Sequence, residues 1–394
     1  MLLKGKQLLE SKVSTEFTTE KSWASFIFSG SFFVKAVKLI LINVIVFSIL
    51  IGVVEFGLFL LYSFPPPADF VIKAAQKFHS SYERLTLHYM PQCTKYDSEV
   101  TYTLRPGTCR YPSREFDVEI SANHMGLRDD EESLNGPEVI VLGDSQVMGW
   151  GVNKEQTVEH LLEEKTGMKV LSAAVPSYAT VREMRMLSRL DTSKLRYLII
   201  QYCDNDFAEN KEYAENGDKI KIMPERDYNL LRKRHMAEPR DYYFGRYMRL
   251  FFPLLSKPFF EKQKIERHRS EQQLRRAARK EVNYFLNPIL KSATNLENVE
   301  IIVFELNSYN KNDSYFVNSL DKRVTRFKSV EKSTEKLDGV EGEFPLKIKT
   351  LDASHLLGDD EYYLYDDHVN AKGYDKLSDA LIELMGRPAE RMKL

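Results

Sequence analysis

The stretch VIVLGDSQVMGWGV, residues 139–152, decides the fold. Its first four residues are apolar and mostly β-branched, as in a strand that is buried on both faces of a sheet. The strand runs directly into Gly143, Asp144 and Ser145. A small hydroxyl at the carboxyl end of such a strand lies where open α/β sheets form their sites. Groups that make Ser145 reactive are therefore expected after other strands of the same sheet.

Three other apolar runs have the length of buried strands, and helical patterns such as TVEHLLEEKTG and TVREMRMLSRL separate them. Strands are predicted over 138–143, 169–175, 196–203 and 299–306. This alternation implies right-handed crossovers and an α/β fold, with a three-layer, doubly wound, mostly parallel sheet.

The predicted α/β domain covers residues 137–394 and contains a helical insertion at 207–290. The insertion includes the aromatic and basic stretch YYFGRYMRLFFPLL (242–255). Its charges alternate in sign, which favours a solvated helical hairpin packed on the domain. A lid over the site and a surface that rests on the membrane are the alternatives.

Composition excludes several classes of protein. The chain has 394 residues, 43% of them hydrophobic, which is ordinary for a folded protein. Its 56 basic and 57 acidic side chains give no electrostatic case for binding nucleic acid. The sequence contains no phosphate-binding loop, no dinucleotide motif and no metal-ligand constellation. We therefore expect neither a cofactor nor a metal.

Residues 39–62 are strongly apolar, with Glu55 as their single charge, and are long enough to cross a hydrocarbon layer of about 30 Å. The arm before them, residues 1–38, has an excess of lysine, which places it in the cytoplasm and the rest of the chain outside. Residues 63–136 form a membrane-proximal region on this topology. A cleaved signal peptide is the less favoured alternative, because the stretch is long and starts late. Glu55 is either a partner-binding group or a carboxylate within reach of the interface.

Cysteine usage fits an extracytoplasmic chain. Cys93 and Cys109 lie outside the membrane on this topology, and we expect a disulfide between them in an oxidising compartment. Cys203 ends an apolar run and is interpreted as a small buried side chain.

A serine nucleophile needs a base, a group that orients the base, and donors for the oxyanion. Asn205 follows the third predicted strand, and Ser177 lies in the turn after the second. Asp366 and His368 lie in YDDHVNAKGYDKL, just before a last amphipathic helix.

In this order the motifs resemble those of the SGNH (GDSL-type) hydrolases, over roughly residues 138–390. The resemblance rests on GDS at 143–145, on Asn205 in DND, and on the acid and histidine of DDHVNAKG. NHMGLRDDE (123–131) also resembles a segment of membrane-anchored bacterial members. Ser177 stands where the family has glycine. Tyr365 stands where many members have their acid, so Asp366, rather than Asp367, is expected to be the triad acid.

The resemblance implies acyl transfer. Ser145 would attack an ester carbonyl, His368 would take the proton, and Asp366 would orient the imidazole. The N–H groups of Ser145 and Ser177, with the Asn205 amide, would hold the oxyanion.

The expected protein is a serine esterase anchored by one span in the inner membrane of a bacterium, with its catalytic domain in the periplasm. Its substrates would be O-acyl esters of envelope glycan or lipid. One alternative is an O-acyltransferase that works with a membrane acyl-donor partner. The other is a catalytically idle envelope scaffold.

Overall fold

A computed structural model describes residues 30–260, 270–310, 313–330 and 346–386. They divide into two units, one from 30–74 with 242–260 and one from 75–241 with the described residues after 260. Residues 1–29 of the predicted cytoplasmic arm lie outside the described residues. The division differs from the predicted domains in two places. The predicted membrane-proximal region joins the unit of the sheet from residue 75 onward, and part of the predicted insertion joins the N-terminal helix.

Helices occur along the whole of the described chain. In chain order they are α1 (Gly30–Ser63), α2 (Asp69–Phe78), α3 (Val158–Thr166), α4 (Thr180–Leu187), α5 (Asp206–Glu215), α6 (Glu225–Ala237), α7 (Phe252–Phe260), α8 (Glu271–Leu290), α9 (Tyr315–Val330) and α10 (Ala371–Leu384). Single π-helical turns cover His79–Glu83 and Tyr247–Phe251.

Helix α1 is long and apolar enough to cross a membrane over Phe33–Ser63, and its most apolar 18-residue stretch has a mean hydropathy of 2.7. It starts before the predicted span of 39–62. By length and composition it fits either a membrane anchor or a signal sequence, the two interpretations that the sequence left open.

The strands form two hairpins and one larger sheet. The hairpin strands are β1 (Thr94–Asp97), β2 (Thr101–Leu104), β3 (Gly107–Pro112) and β4 (Asp117–Ala122). The sheet strands are β5 (Val139–Leu142), β6 (Val170–Ser172), β7 (Tyr197–Tyr202), β8 (Glu300–Glu305) and β9 (Lys347–Leu351). β1 pairs with β2 and β3 with β4, both antiparallel. A disulfide joins Cys93, just before β1, to Cys109 in β3.

The sheet is parallel throughout and has the order β6-β5-β7-β8-β9. β5 to β8 each lie within a predicted strand, whereas β9 was not predicted. In its sequence KIKTL the exposed Lys347 and Lys349 flank the buried Ile348. An edge strand is partly solvated and lacks the continuous apolar run of a central strand, so no such run marked β9.

Successive residues of β5 face two different cores. Val141 packs in the core that contains Leu377 of α10, and Leu142 packs in the core that contains Phe285 of α8. Helices therefore cover both faces of a parallel sheet, and the predicted three-layer, doubly wound fold is confirmed. The first strand, β5, lies between β6 and β7, so the switch point at which such folds bind ligands is at its carboxyl end.

Candidate active site

Ser145 lies in the turn at the carboxyl end of β5, and several contacts fix that turn. The Asp144 carboxylate accepts the N–H of Gln146 at 2.8 Å. The Asp144 N–H in turn donates to the side-chain oxygen of Gln201 at 2.9 Å. A side chain at Gly143 would collide with Gln201, which explains the glycine. The turn leaves Ser145 partly exposed, while its neighbours are buried.

His368 lies beside the serine. Its Nε2 is 2.8 Å from the Ser145 Oγ, and its Nδ1 is 2.5 Å from an oxygen of Asp366. An oxygen of Asp367 is 3.0 Å from the same Nδ1. The structure thus brings Ser145, His368 and Asp366 together in the order that a hydrolytic triad needs. Asp366 is the closer acid and is fully buried, whereas the Asp367 side chain is partly exposed.

Glu115 fixes the backbone that carries these acids. Its carboxylate accepts the successive N–H groups of Leu364, Tyr365 and Asp366, at 2.7, 2.9 and 2.8 Å. Successive N–H groups that point one way form a concave anion site, and here a side chain of the same chain fills it. Sequence reasoning missed Glu115, because it precedes Asp366 by 251 residues and has no motif of its own.

Trp150 covers the histidine. Its ring stacks on that of His368 with the centroids 4.4 Å apart and the planes at 10°, and its Nε1 is 3.4 Å from Asp366. Arg128, only 5% exposed, holds the loop of Trp150 by donating to three carbonyl oxygens within 148–152. Trp150 follows the GDS motif and Arg128 lies in NHMGLRDDE, but neither motif indicates these roles.

Basic side chains lie beside the two acids. Arg84 forms an ion pair with Asp367 and has a nitrogen 3.8 Å from an oxygen of Asp366. The buried His79 has its Nε2 3.8 Å from the other oxygen of Asp366. No sequence pattern marked Arg84 or His79 as part of the site.

These charges set the ionisation of the triad. Burial alone would raise the pKa of Asp366, but His368, His79 and Arg84 hold it well below its usual range. Burial would likewise raise the pKa of Asp367, and His368 and Arg84 lower it to about 2. Burial lowers the pKa of His368, but the carboxylates of Asp367 and Asp366 outweigh burial and raise it to about 9. The resting arrangement therefore favours two carboxylates and an imidazolium.

Ser177 lies on the other side of Ser145, in the turn after β6. The Val175 N–H donates to the Gly143 carbonyl oxygen at 3.1 Å. Ser177 follows Val175 by two residues, and Ser145 follows Gly143 by two residues. In the part of the chain that the structure describes, neither serine N–H donates to an acceptor. Ser177 has a φ of 58°, in the left-handed region that favours glycine, the family's residue there.

Asn205, just before α5, has its amide nitrogen 3.4 Å from an oxygen of Asp144. The structure thus places the Asn205 amide at the same end of the sheet, directed at the acid that precedes the serine.

Buried acids lie behind this side of the site. Burial raises the pKa values of Asp144, Glu183 and Asp206, and their mutual repulsion raises those of Glu183 and Asp206 further. The pKa values of these groups are therefore shifted upward, in contrast to those of Asp366 and Asp367.

Among the described residues, one group of acids and histidines has ligand atoms close enough for a metal ion, within 4.8 Å of one another. It consists of Asp366, Asp367 and His368. The same atoms already bond to one another, and Arg84 supplies the positive charge that a cation would bring. We therefore treat the group as part of the triad.

No protein-family model and no curated protein matches the chain. Several solved structures match over about two thirds of the chain. A proposed lipolytic protein of the G-D-S-L family from Desulfitobacterium hafniense is 12% identical, with a TM-score of 0.28 over 62% of this chain and 98% of that one. A carbohydrate acetylesterase from Sinorhizobium meliloti is 12% identical, with a TM-score of 0.30 over 63% and 97%.

A salicylyl-acyltransferase from a tetracycline biosynthetic pathway is 10% identical, with a TM-score of 0.30 over 64% of this chain and 55% of that one. Each of these TM-scores is below 0.5. The function of this chain is therefore inferred from its own motifs and geometry alone.

Proposed function

We propose that this protein is a serine esterase that forms an acyl-enzyme on Ser145. The observation that carries the proposal is the continuous contact from the Ser145 Oγ through His368 to Asp366, at 2.8 and 2.5 Å. A serine hydroxyl is a weak nucleophile unless a base removes its proton as it attacks. His368 is within hydrogen-bond distance for that transfer.

In the proposed reaction the Ser145 oxygen bonds to an ester carbonyl carbon, and its proton passes to Nε2 of His368. Asp366 and Asp367 stabilise the resulting imidazolium. The N–H groups of Ser145 and Ser177 hold the negative oxygen, and each such donor contributes roughly 3 kcal/mol to the transition state. The imidazolium then protonates the leaving alcohol, and water attacks the acyl-enzyme by the reverse path.

The substrate class is inferred from helix α1. We infer that α1 anchors the chain in the bacterial inner membrane, with the acyl-transfer site on the periplasmic side, in agreement with the lysine-rich arm before it. The disulfide between Cys93 and Cys109 supports an oxidising compartment. A tethered esterase in this place would act on O-acyl esters of envelope glycan or lipid. If a sugar hydroxyl replaces water, the same acyl-enzyme transfers its acyl group, and a membrane acyl donor would be its partner.

The test uses the full chain in detergent, because Tyr247, Phe251 and Leu255 are buried in the unit of α1 and truncation would uncover them. Hydrolysis of p-nitrophenyl acetate and of a longer-chain ester is measured for the wild type, Ser145→Ala and Ser177→Ala. We expect turnover in the wild type and in Ser177→Ala, where the backbone donor is kept, and none in Ser145→Ala. Equal turnover in Ser145→Ala would contradict the proposal. No turnover in any form would favour the idle scaffold.

A second arm of the experiment separates hydrolysis from transfer. Sugar alcohols are added to the wild-type reaction, and the products are separated by chromatography. An acylated sugar that forms at the expense of the free acid identifies an acyltransferase. Free acid alone, at every acceptor concentration, identifies an esterase.

A further inference from the structure

Helix α1 carries one buried stripe on an otherwise exposed apolar surface. Glu55, Leu58 and Tyr62 are its buried residues within the part of the helix whose side chains are described. Their spacing of three and four residues puts them on one face of the helix. Something other than solvent or lipid therefore covers this face.

The cover is the segment 242–260, which belongs to the same unit as α1. Tyr247, Phe251 and Leu255 are buried at a spacing of four residues. The rings of Tyr247 and Phe251 pack against Tyr62, with centroids 5.8 and 5.5 Å apart. Two helical faces with matching periodicity thus pack on each other.

Glu55 joins the two elements by hydrogen bonds. It is 3% exposed, and its two carboxylate oxygens accept the backbone N–H groups of Tyr247 and Met248, each at 2.9 Å. These N–H groups lie at the start of the helical run 247–260, where the N–H groups of the first turn have no acceptor within the helix. A carboxylate is also the charge that the positive end of a helix favours.

The depth of Glu55 in the membrane makes these two hydrogen bonds important for stability. If the hydrocarbon layer begins at Leu39, Glu55 lies about 24 Å along the helix axis, inside a layer of about 30 Å. Water cannot satisfy backbone N–H groups at that depth, and a bare carboxylate there is costly. Each group removes the cost of the other.

The segment also carries exposed side chains, most of them aromatic. Phe244 is 64% exposed and Phe252 is 53% exposed, and Tyr242 and the cationic Arg249 are exposed as well. Aromatic rings together with basic side chains are typical of elements at the level of lipid headgroups and upper acyl chains. The segment also contacts the exposed apolar surface of α1, because Phe59, 38% exposed, lies with its ring centroid 5.7 Å from that of Tyr247. That surface of α1 itself needs lipid.

We propose that residues 242–260 are a second membrane-inserted element, held against α1 by Glu55 in the outer part of the hydrocarbon layer. Its occupant is the lipid bilayer, which contacts Tyr242, Phe244 and Phe252. This inference rests on the proposed anchoring by α1 and is independent of the chemistry at Ser145. It gives part of the predicted insertion, 207–290, and the buried Glu55 a common role.

The test places the full chain in vesicles of phosphatidylethanolamine and phosphatidylglycerol. An environment-sensitive fluorophore is attached at Phe252→Cys or at Phe56→Cys, an exposed position on α1, both in a Cys203→Ala background. Quenching is measured with lipids that carry a nitroxide near the headgroup end of the acyl chain, and with iodide in the water.

We expect lipid quenching and protection from iodide at both positions. Iodide quenching at Phe252→Cys, together with lipid quenching at Phe56→Cys, would overturn the inference and leave the anchor intact. If Phe56→Cys also responds only to iodide, the anchor is wrong and the inference fails with it. Esterase turnover, measured on the same samples, reports separately on the proposed chemistry.

A second variant tests the role of Glu55. Glu55→Leu in the Phe252→Cys background removes both acceptors, and we expect loss of lipid quenching and gain of iodide quenching. Glu55→Gln keeps one acceptor oxygen and should change both signals less. The same Glu55→Leu change in the Phe56→Cys background is the control and should leave its lipid quenching in place. Unchanged signals at Phe252→Cys in Glu55→Leu would show that Glu55 does not hold the segment.

Discussion

On the two sides of Ser145, the pKa values of carboxyl groups are shifted in opposite directions. On the histidine side, Asp366 and Asp367 face Arg84 and His368, and their pKa values are lowered. On the side of Ser177 and Asn205, burial and mutual repulsion raise the pKa values of Asp144, Glu183 and Asp206. Both sides are rich in acids, so composition alone does not distinguish them.

The difference corresponds to where charge develops in an acyl transfer. Negative charge beside His368 stabilises the imidazolium that forms as the serine attacks. Negative charge beside Ser177 would repel the oxyanion, and the raised pKa values of the acids there act against that charge. The lowered pKa values thus lie where positive charge develops on His368, and the raised pKa values lie where negative charge develops on the oxyanion.

The largest effect is expected on the ionised side. Asp366→Asn should lower kcat by about 10⁴-fold, because an amide leaves the imidazole in the wrong tautomer. Asp367→Asn is the matched control and removes a more distant charge. It should lower kcat by only about tenfold, as for a shift of one pKa unit. Steady-state kinetics of both variants measure the difference. Equal losses would mean that the acids share the role.

On the side of Ser177, Asn205→Ala should lower kcat by about 10²- to 10³-fold if its amide turns from Asp144 to the oxyanion. Its side chain makes no cap bond to α5, so the helix should keep its stability. Kinetics and a thermal melt check the two expectations. An unchanged kcat would leave the oxyanion to the two backbone donors alone.

Positioning of the acid loop is the next effect. Glu115→Ala removes the acceptor of three N–H groups and should lower kcat by about 10²-fold through misplacement of Asp366. Glu115→Gln keeps one acceptor oxygen and should recover part of the loss. The loss should appear in kcat, with KM little changed. A rise in KM with an unchanged kcat would place Glu115 in substrate binding instead.

The pH profile tests the charge on His368. A base must be neutral, so with a pKa of about 9 the logarithm of kcat/KM should rise by about one per pH unit up to that value. Activity that is flat from neutral pH to pH 9 would contradict the raised pKa.

The free energy of unfolding should fall as pH rises, whereas kcat/KM rises. Because the folded pKa of His368 lies above its ordinary value of 6.5, its contribution to stability is complete below pH 6.5 and is lost as pH rises through about 9. Unfolding of the wild type and His368→Gln across this range isolates the contribution. A difference between the two that does not depend on pH would refute it.

The smallest effect concerns Ser177. Ser177→Gly relieves a left-handed conformation, which costs about 1–2 kcal/mol, and loosens the unfolded chain, which costs roughly 0.5–1 kcal/mol in return. We expect a gain in unfolding free energy below about 1 kcal/mol and unchanged kcat. Chemical denaturation and kinetics measure both. A large fall in kcat would show that the side chain, and not the N–H, serves the reaction.

The sequence predicts what depends on local pattern. Buried strands have continuous apolar runs, so β5 to β8 could be placed, and Ser145, Asn205 and His368 are recognised from motifs at strand ends. Strand β9 was missed because it lies at an edge, and Glu115 and Arg84 were missed because tertiary contacts alone define their roles. Segment 242–260 shows aromatic and basic residues in the sequence, but only the bond to Glu55 pairs it with α1.

The most direct test of the central claim is labelling of the full chain by a fluorophosphonate, followed by mass spectrometry of the peptides. The proposed triad predicts one adduct, on Ser145, that forms faster as pH rises toward 9 and is abolished in Ser145→Ala and strongly slowed in His368→Ala. An adduct elsewhere, or a Ser145 adduct that forms equally fast without His368, would contradict it.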